Sequence, residues 1–227
     1  MYRISMRCIK LIYFALIVMQ AALVAQTFSL DSARGLQAKL VAVEPASYMG
    51  RKCIRVIPSG GGPQGGGGGL AIVSGAEFHD GTIELDVAGK PGAGAGGDAR
   101  GFVGVAFRAQ PGGEKYECFY IRPTNGRAED QERRNHATQY ISFPDYEWFR
   151  LRKETPSKYE SYADMVTGEW THLKVEVHGV KARLYVGGAA QPALLVNDLK
   201  MGDAKGAVAL WIGVGTEAHF SSLKIAQ

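Results

Sequence analysis

What the chain has little of narrows its chemistry first. Of 227 residues only three are cysteine (Cys8, Cys53, Cys118) and five histidine (His79, His136, His172, His178, His219). No CxxC pair, HxH, HExxH or Cys/His cluster occurs, which argues against the common zinc centres. A GxSxG elbow for a serine nucleophile is missing. The glycine tract at 60–69 lacks the lysine and Ser/Thr that would end a phosphate-binding loop. No twelve-residue calcium loop is present; a structural calcium held by loop carboxylates and carbonyls stays open, and no other cofactor is expected. Long helical patterns are scarce too. Thirty glycines, each costing a helix interior roughly 1 kcal/mol, favour strands and turns.

Neither sign of charge dominates: 26 basic residues stand against 22 acidic ones. The first 25 residues carry three of the basic ones, Arg3, Arg7 and Lys10, ahead of the uncharged run Leu11–Met19 and the small residues Ala21, Ala22 and Ala25. That order is a secretory signal peptide over 1–25, with the cut expected after Ala25. The apolar stretch, interrupted by Gln20, is shorter than the roughly 20 residues of a spanning helix. The reading is therefore a secreted or periplasmic protein, with one domain over 27–227 that is not embedded in a membrane. Without the leader, 23 basic residues face 22 acidic ones, too little excess for a phosphate backbone, so nucleic acid is not an expected partner. An oxidising compartment permits a disulfide between Cys53 and Cys118; two buried free thiols is the alternative of equal weight.

Alternation supplies the fold class. In Thr82–Val87, Ile83, Leu85 and Val87 share one face, and Glu84 and Asp86 the other. Residues 173–178 and 181–186 repeat the pattern around Gly179 and read as a hairpin. Further strands are expected at 53–57, 69–73, 102–108, 116–122, 139–143, 160–165, 207–212 and 218–225, with helix confined to short turns around 130–135, a charged stretch that could also be a solvated loop. So many half-buried strands need an opposing apolar layer, which predicts an all-β, two-sheet antiparallel β-sandwich of jelly-roll type. The glycine-rich tracts at 60–69 and 89–101 read as mobile loops that pack no core.

Residues 108–172 carry the chemistry: 10 basic, 11 acidic and 11 aromatic side chains. Aromatic faces beside Arg, Asn, Gln and Asp suit a carbohydrate, since a ring covers the C–H face of a pyranose while forked donors meet its hydroxyls. The ligand-binding candidates are Tyr146 and Trp148 as platform, with Arg127, Asp130, Arg134 and Gln139 as polar contacts. For catalysis the candidates are His136, Asp145, Glu147 and Asp130, each able in principle to move a proton. Glu84 and Asp86, although paired on one strand, read as a solvated face. The same segment could instead be a loop held down by its own rings and ion pairs.

Trp170–Val177, Ala182–Gly188, Gly206–Trp211 and Phe220–Ile225 resemble the concanavalin A-like, laminin G-like sandwiches. Within them the chain is most similar to the bacterial 3-keto-disaccharide hydrolase family, also called domain of unknown function 1080. The resemblance implies an exported jelly roll associated with glycans, some members binding and some hydrolysing. Glycosidases of this fold can carry three alternating carboxylates on one strand. Here Glu84 and Asp86 are followed by Val87, Ala88 and Gly89, so the third is missing. The leading expectation is a carbohydrate-binding domain. The alternatives are a glycoside or 3-keto-disaccharide hydrolase and a non-catalytic structural or protein-interaction domain.

Overall fold

The computed structural model describes residues 25–60, 62 and 67–227; the expected signal peptide, Ala25 apart, lies outside them. Fifteen strands follow in chain order: β1 (Ala25–Phe28), β2 (Leu36–Lys39), β3 (Val41–Tyr48), β4 (Arg51–Pro58), β5 (Gly69–Phe78), β6 (Gly81–Pro91), β7 (Val103–Ala109), β8 (Tyr116–Ile121), β9 (Thr138–Phe143), β10 (Glu160–Ser161), β11 (Thr171–His178), β12 (Lys181–Val186), β13 (Leu194–Val196), β14 (Gly206–Ile212) and β15 (Thr216–Ala226). Among the described residues three short α-helices and a 3-10 turn (Pro111–Gly113) interrupt them: α1 (Pro123–Gly126), α2 (Gln131–Asn135) and α3 (Trp148–Glu154).

Every pairing is antiparallel, and the strands form two sheets: an all-β, two-sheet antiparallel sandwich of jelly-roll type, as the alternation requires. One sheet runs β13-β12-β11-β6-β15-β4-β3, with β1 also on β15; the other runs β10-β9-β8-β7-β14-β5-β2. The expected hairpin is β11–β12, with Leu173 opposite Val186 and His178 opposite Lys181. Pairing of β6 with β11 aligns Leu85 with Leu173, and Ile83 with Val175. Their alternate side chains pack with Val105, Phe119, Tyr140 and Leu210 of the other sheet in one buried core.

Three expectations change. Residues 160–165 keep only a two-residue strand, β10. The segment around Trp148 is helix α3, not loop. The last glycines of the 60–69 tract do pack: a Cβ on Gly67 would come within 2.6 Å of the Phe143 ring, and one on Gly68 would run into the Trp211 indole. Lacking side chains, they let the backbone lie on both rings. The helix expected around 130–135 is present as α2, with the Asp130 carboxylate accepting from the Arg133 amide at 3.1 Å. Cys53 and Cys118 are both buried and free, one in each sheet, so the disulfide alternative is not realised. Among the described residues no helix is long and apolar enough to cross a membrane.

Candidate functional site

The register of the seven-stranded sheet builds the site. Tyr120 of β8 and Trp211 of β14 both stand opposite Gly104 of the strand between them. With no side chain at Gly104, the two rings close over it and stack, centroids 4.5 Å apart and planes 18° apart. Because side chains alternate, Tyr120 and Trp211 face away from Phe119, Ile121, Leu210 and Ile212. The Phe119 face is the inner one: on it, Glu117 and Tyr140 accept hydrogen bonds from the Met201 and Lys200 amides, just beyond β13. The stacked pair thus lies on the outer face of the sheet, as the floor of a cleft of about 490 Å³.

Its walls come from connections. The link between β8 and β9 folds into α1 and α2 and brings Asn125, Arg133 and His136 to the rim. Helix α3 contributes Trp148 and, one turn on, Arg152, whose guanidinium lies 5.0 Å from the indole centroid. Asp98, Arg100 and Phe102 complete the lining together with Val214 and Gly213, whose amide donates to the Phe102 carbonyl at 3.0 Å.

Below the walls a polar network fixes the donors. Arg122, 5% exposed, donates to the His136 carbonyl at 2.8 Å, to the Gln139 Oε1 at 2.9 Å and to the Tyr120 hydroxyl at 3.1 Å. Glu160 is buried and accepts both arms of Arg152, at 2.9 and 2.6 Å. Arg122 and His136 stand 3.8 and 3.4 Å from the same carboxylate. Burial pushes the His136 imidazole below its ordinary value, against the pull of Glu160, so the ring is neutral near pH 7. Burial also raises the Tyr120 phenol to about 12, keeping it a hydroxyl.

The expected site residues divide. Trp148 and His136 line the cleft, and Gln139 supports it from beneath. Tyr146 is part-buried beside β9, its ring covered by Arg150 at 4.4 Å. Arg127 pairs in the open with Asp164, Arg134 lies on Tyr162, and Asp130 caps α2. Asp145 is an exposed turn residue whose carbonyl accepts from Arg150, and Glu147 is the residue before α3; neither lines the cleft. Arg100, Phe102, Tyr120, Arg122, Asn125, Arg133, Arg152 and Trp211 were not foreseen. Alternation along 116–122 puts Tyr120 and Arg122 on one face and could have flagged them; the partnership with Trp211 needs the strand order.

Two other polar groups lie elsewhere. Glu84 and Asp86 flank His172, at 3.3 and 2.9 Å, with Arg51 at 3.0 Å from Asp86, a surface ion cluster. His79, Asp80 and Asp203 offer ligand atoms within 4.8 Å of one another and could chelate a cation. The buried Arg108 guanidinium, 2.9 Å from Asp80, already supplies positive charge there.

No protein-family model matches the chain, and no curated protein does. Among solved structures it is similar to a carbohydrate-binding module of Bacillus subtilis (TM-score 0.56, 14% identity, 84% of this chain and 95% of that one). It is also similar to a Bacillus subtilis protein of unknown function with a galectin-like fold (TM-score 0.55, 9% identity, 90% and 98% covered). A third is basic winged bean lectin (TM-score 0.53, 8% identity, 89% and 98% covered). At such identities the likeness is one of fold alone: an antiparallel, two-sheet jelly-roll sandwich.

Proposed function

We propose that this is an exported carbohydrate-binding module whose site is the cleft over Tyr120 and Trp211. The observation that carries it is Trp148: half-buried, steadied by Arg152, it presents an aromatic wall beside fixed Arg, Asn and His donors. Apolar faces with a few oriented polar groups, in a volume within the roughly 300–1,000 Å³ usual for small ligands, are what a sugar needs. The fold shared with a carbohydrate-binding module and a lectin supports the reading, as does the basic-then-apolar leader at 1–25. On a glycan array followed by titration calorimetry, Trp148→Ala is expected to weaken binding at least about tenfold. Unchanged affinity, or silence of the parent across the array, rejects the proposal.

A second reading, hydrolysis of a glycoside or 3-keto-disaccharide, rests on His136. Its neutral imidazole lines the cleft and is oriented by Glu160, as a proton acceptor would be. Against it, Glu160 is gripped by Arg152, and among the described residues the one carboxylate on the cleft wall, Asp98, is fully exposed, so no matched acid and base are assembled from them. Product release from ordinary or 3-oxidised disaccharides, lost in His136→Gln, would favour this reading over binding alone.

A further inference from the structure

We infer that the sugar this cleft takes carries a carboxylate, as a uronate-type residue does; the inference rests on the carbohydrate reading of the same cleft. Four guanidinium groups line it, Arg100, Arg122, Arg133 and Arg152. Three carboxylates accompany them, and Glu132, exposed on α2, acts on His136 from solvent. Glu160 is buried and holds Arg152 by both arms. Asp98 is on the rim, 3.9 Å from Arg100, with its side chain wholly in solvent, where water screens it. Positive charge is therefore in excess inside the cleft although the chain as a whole is almost balanced, and the neutral His136 does not alter this near pH 7.

Arg133 gives the excess a direction. It lines the cleft, and its one side-chain bond, from a terminal nitrogen to the Asn125 Oδ1, is long at 3.4 Å. Terminal nitrogens held so weakly can turn to an incoming group, and they match the two coplanar oxygens of a carboxylate better than a lone hydroxyl. A neutral sugar would leave the surplus charge in place. Trp148, half-buried at the cleft wall, would meet the ring of the acidic sugar over the buried Tyr120–Trp211 floor, while the arginines meet its carboxylate.

The test prints uronate-containing, sulfated and neutral oligosaccharides on one array, with a duplicate in which the uronates are methyl-esterified. Binding is expected at the free uronates, about tenfold or more above the neutral sugars, lost on esterification and weakened by salt. Arg133→Gln is expected to reduce the uronate signal about tenfold with an unchanged melting curve, and Arg133→Lys to retain part of it. Equal binding of esters and acids, or preference for sulfated spots, overturns the inference. Neutral sugars bound through Trp148, with the uronates ignored, would remove it and leave the carbohydrate reading standing; silence everywhere removes both.

Discussion

Arg108 is wholly buried, and its guanidinium reaches the carbonyls of His79, Gly179 and Gly202 and the Asp80 carboxylate at 2.7–3.1 Å. It sits at φ +52°, where the register between β7 and β14 shifts. The irregularity turns a side chain that alternation would place on the outer face toward the end of the sandwich. It ties the turns after β5, β11 and β13 together. Arg108→Leu would orphan three carbonyls and leave Asp80 without its cation, so a loss of about 3 kcal/mol or more is expected in urea unfolding. A loss under about 1 kcal/mol would mean water replaces the clip. Sequence reading placed Arg108 at the edge of a charge-rich segment and could not see this, because its partners lie between 28 and 94 positions away.

At the scale of elements, the cleft depends on one glycine. A Cβ at Gly104 would fall 2.5 Å from the Tyr120 Cα and run into the Phe119 carbonyl, both backbone atoms of the paired strand that cannot easily yield. Gly104→Val is expected to cost about 1–3 kcal/mol by overpacking. It should also part the Tyr120–Trp211 stack, shifting tryptophan fluorescence and weakening sugar binding. A folded variant with unchanged fluorescence and affinity would show that the floor does not depend on the gap. Helix α3 shows the other side of legibility. Its seven residues, Trp148–Glu154, have acceptable helix formers but too few turns to betray a period, so the sequence shows Trp148 as a ring in a polar stretch without showing the element that carries it. Residue type alone marks Arg127, Asp130 and Arg134 as sugar contacts, and each is engaged with a neighbour outside the cleft.

Across the whole molecule, two histidines resist protonation. Burial lowers His136 and also His219, which stacks on Tyr48 at 3.8 Å. The unfolded chain takes these protons near pH 6.5, while the folded chain takes them only at lower pH. Their share of the stability is thus complete above pH 6.5 and is lost as pH falls through the folded values. Glu117, raised by burial, works in the opposite sense above about pH 4.5. A second loss lies lower. Burial raises Asp198, but bonds from Lys158, Tyr159 and Lys200 outweigh it and hold the carboxyl at about 2, so its contribution fades below the ordinary carboxylate range. His219→Gln is therefore expected to lose less stability than the parent between about pH 7 and 5, as urea midpoints would report. A steeper loss in the variant would reverse the assigned sign.

Strand alternation, glycine content and the β11–β12 hairpin determined the sandwich from the sequence alone, because a period of two commits half of each strand to an interior whatever its partners are. Trp148 and His136 were also legible, as an aromatic and a titratable group in a polar stretch. Only the tertiary structure decided that Gly104 lies between Tyr120 and Trp211, and that Arg122 and Arg152 meet over Glu160. Those pairings are set by strand order and by the path of the connections, through contacts between residues far apart in the chain that no local pattern records.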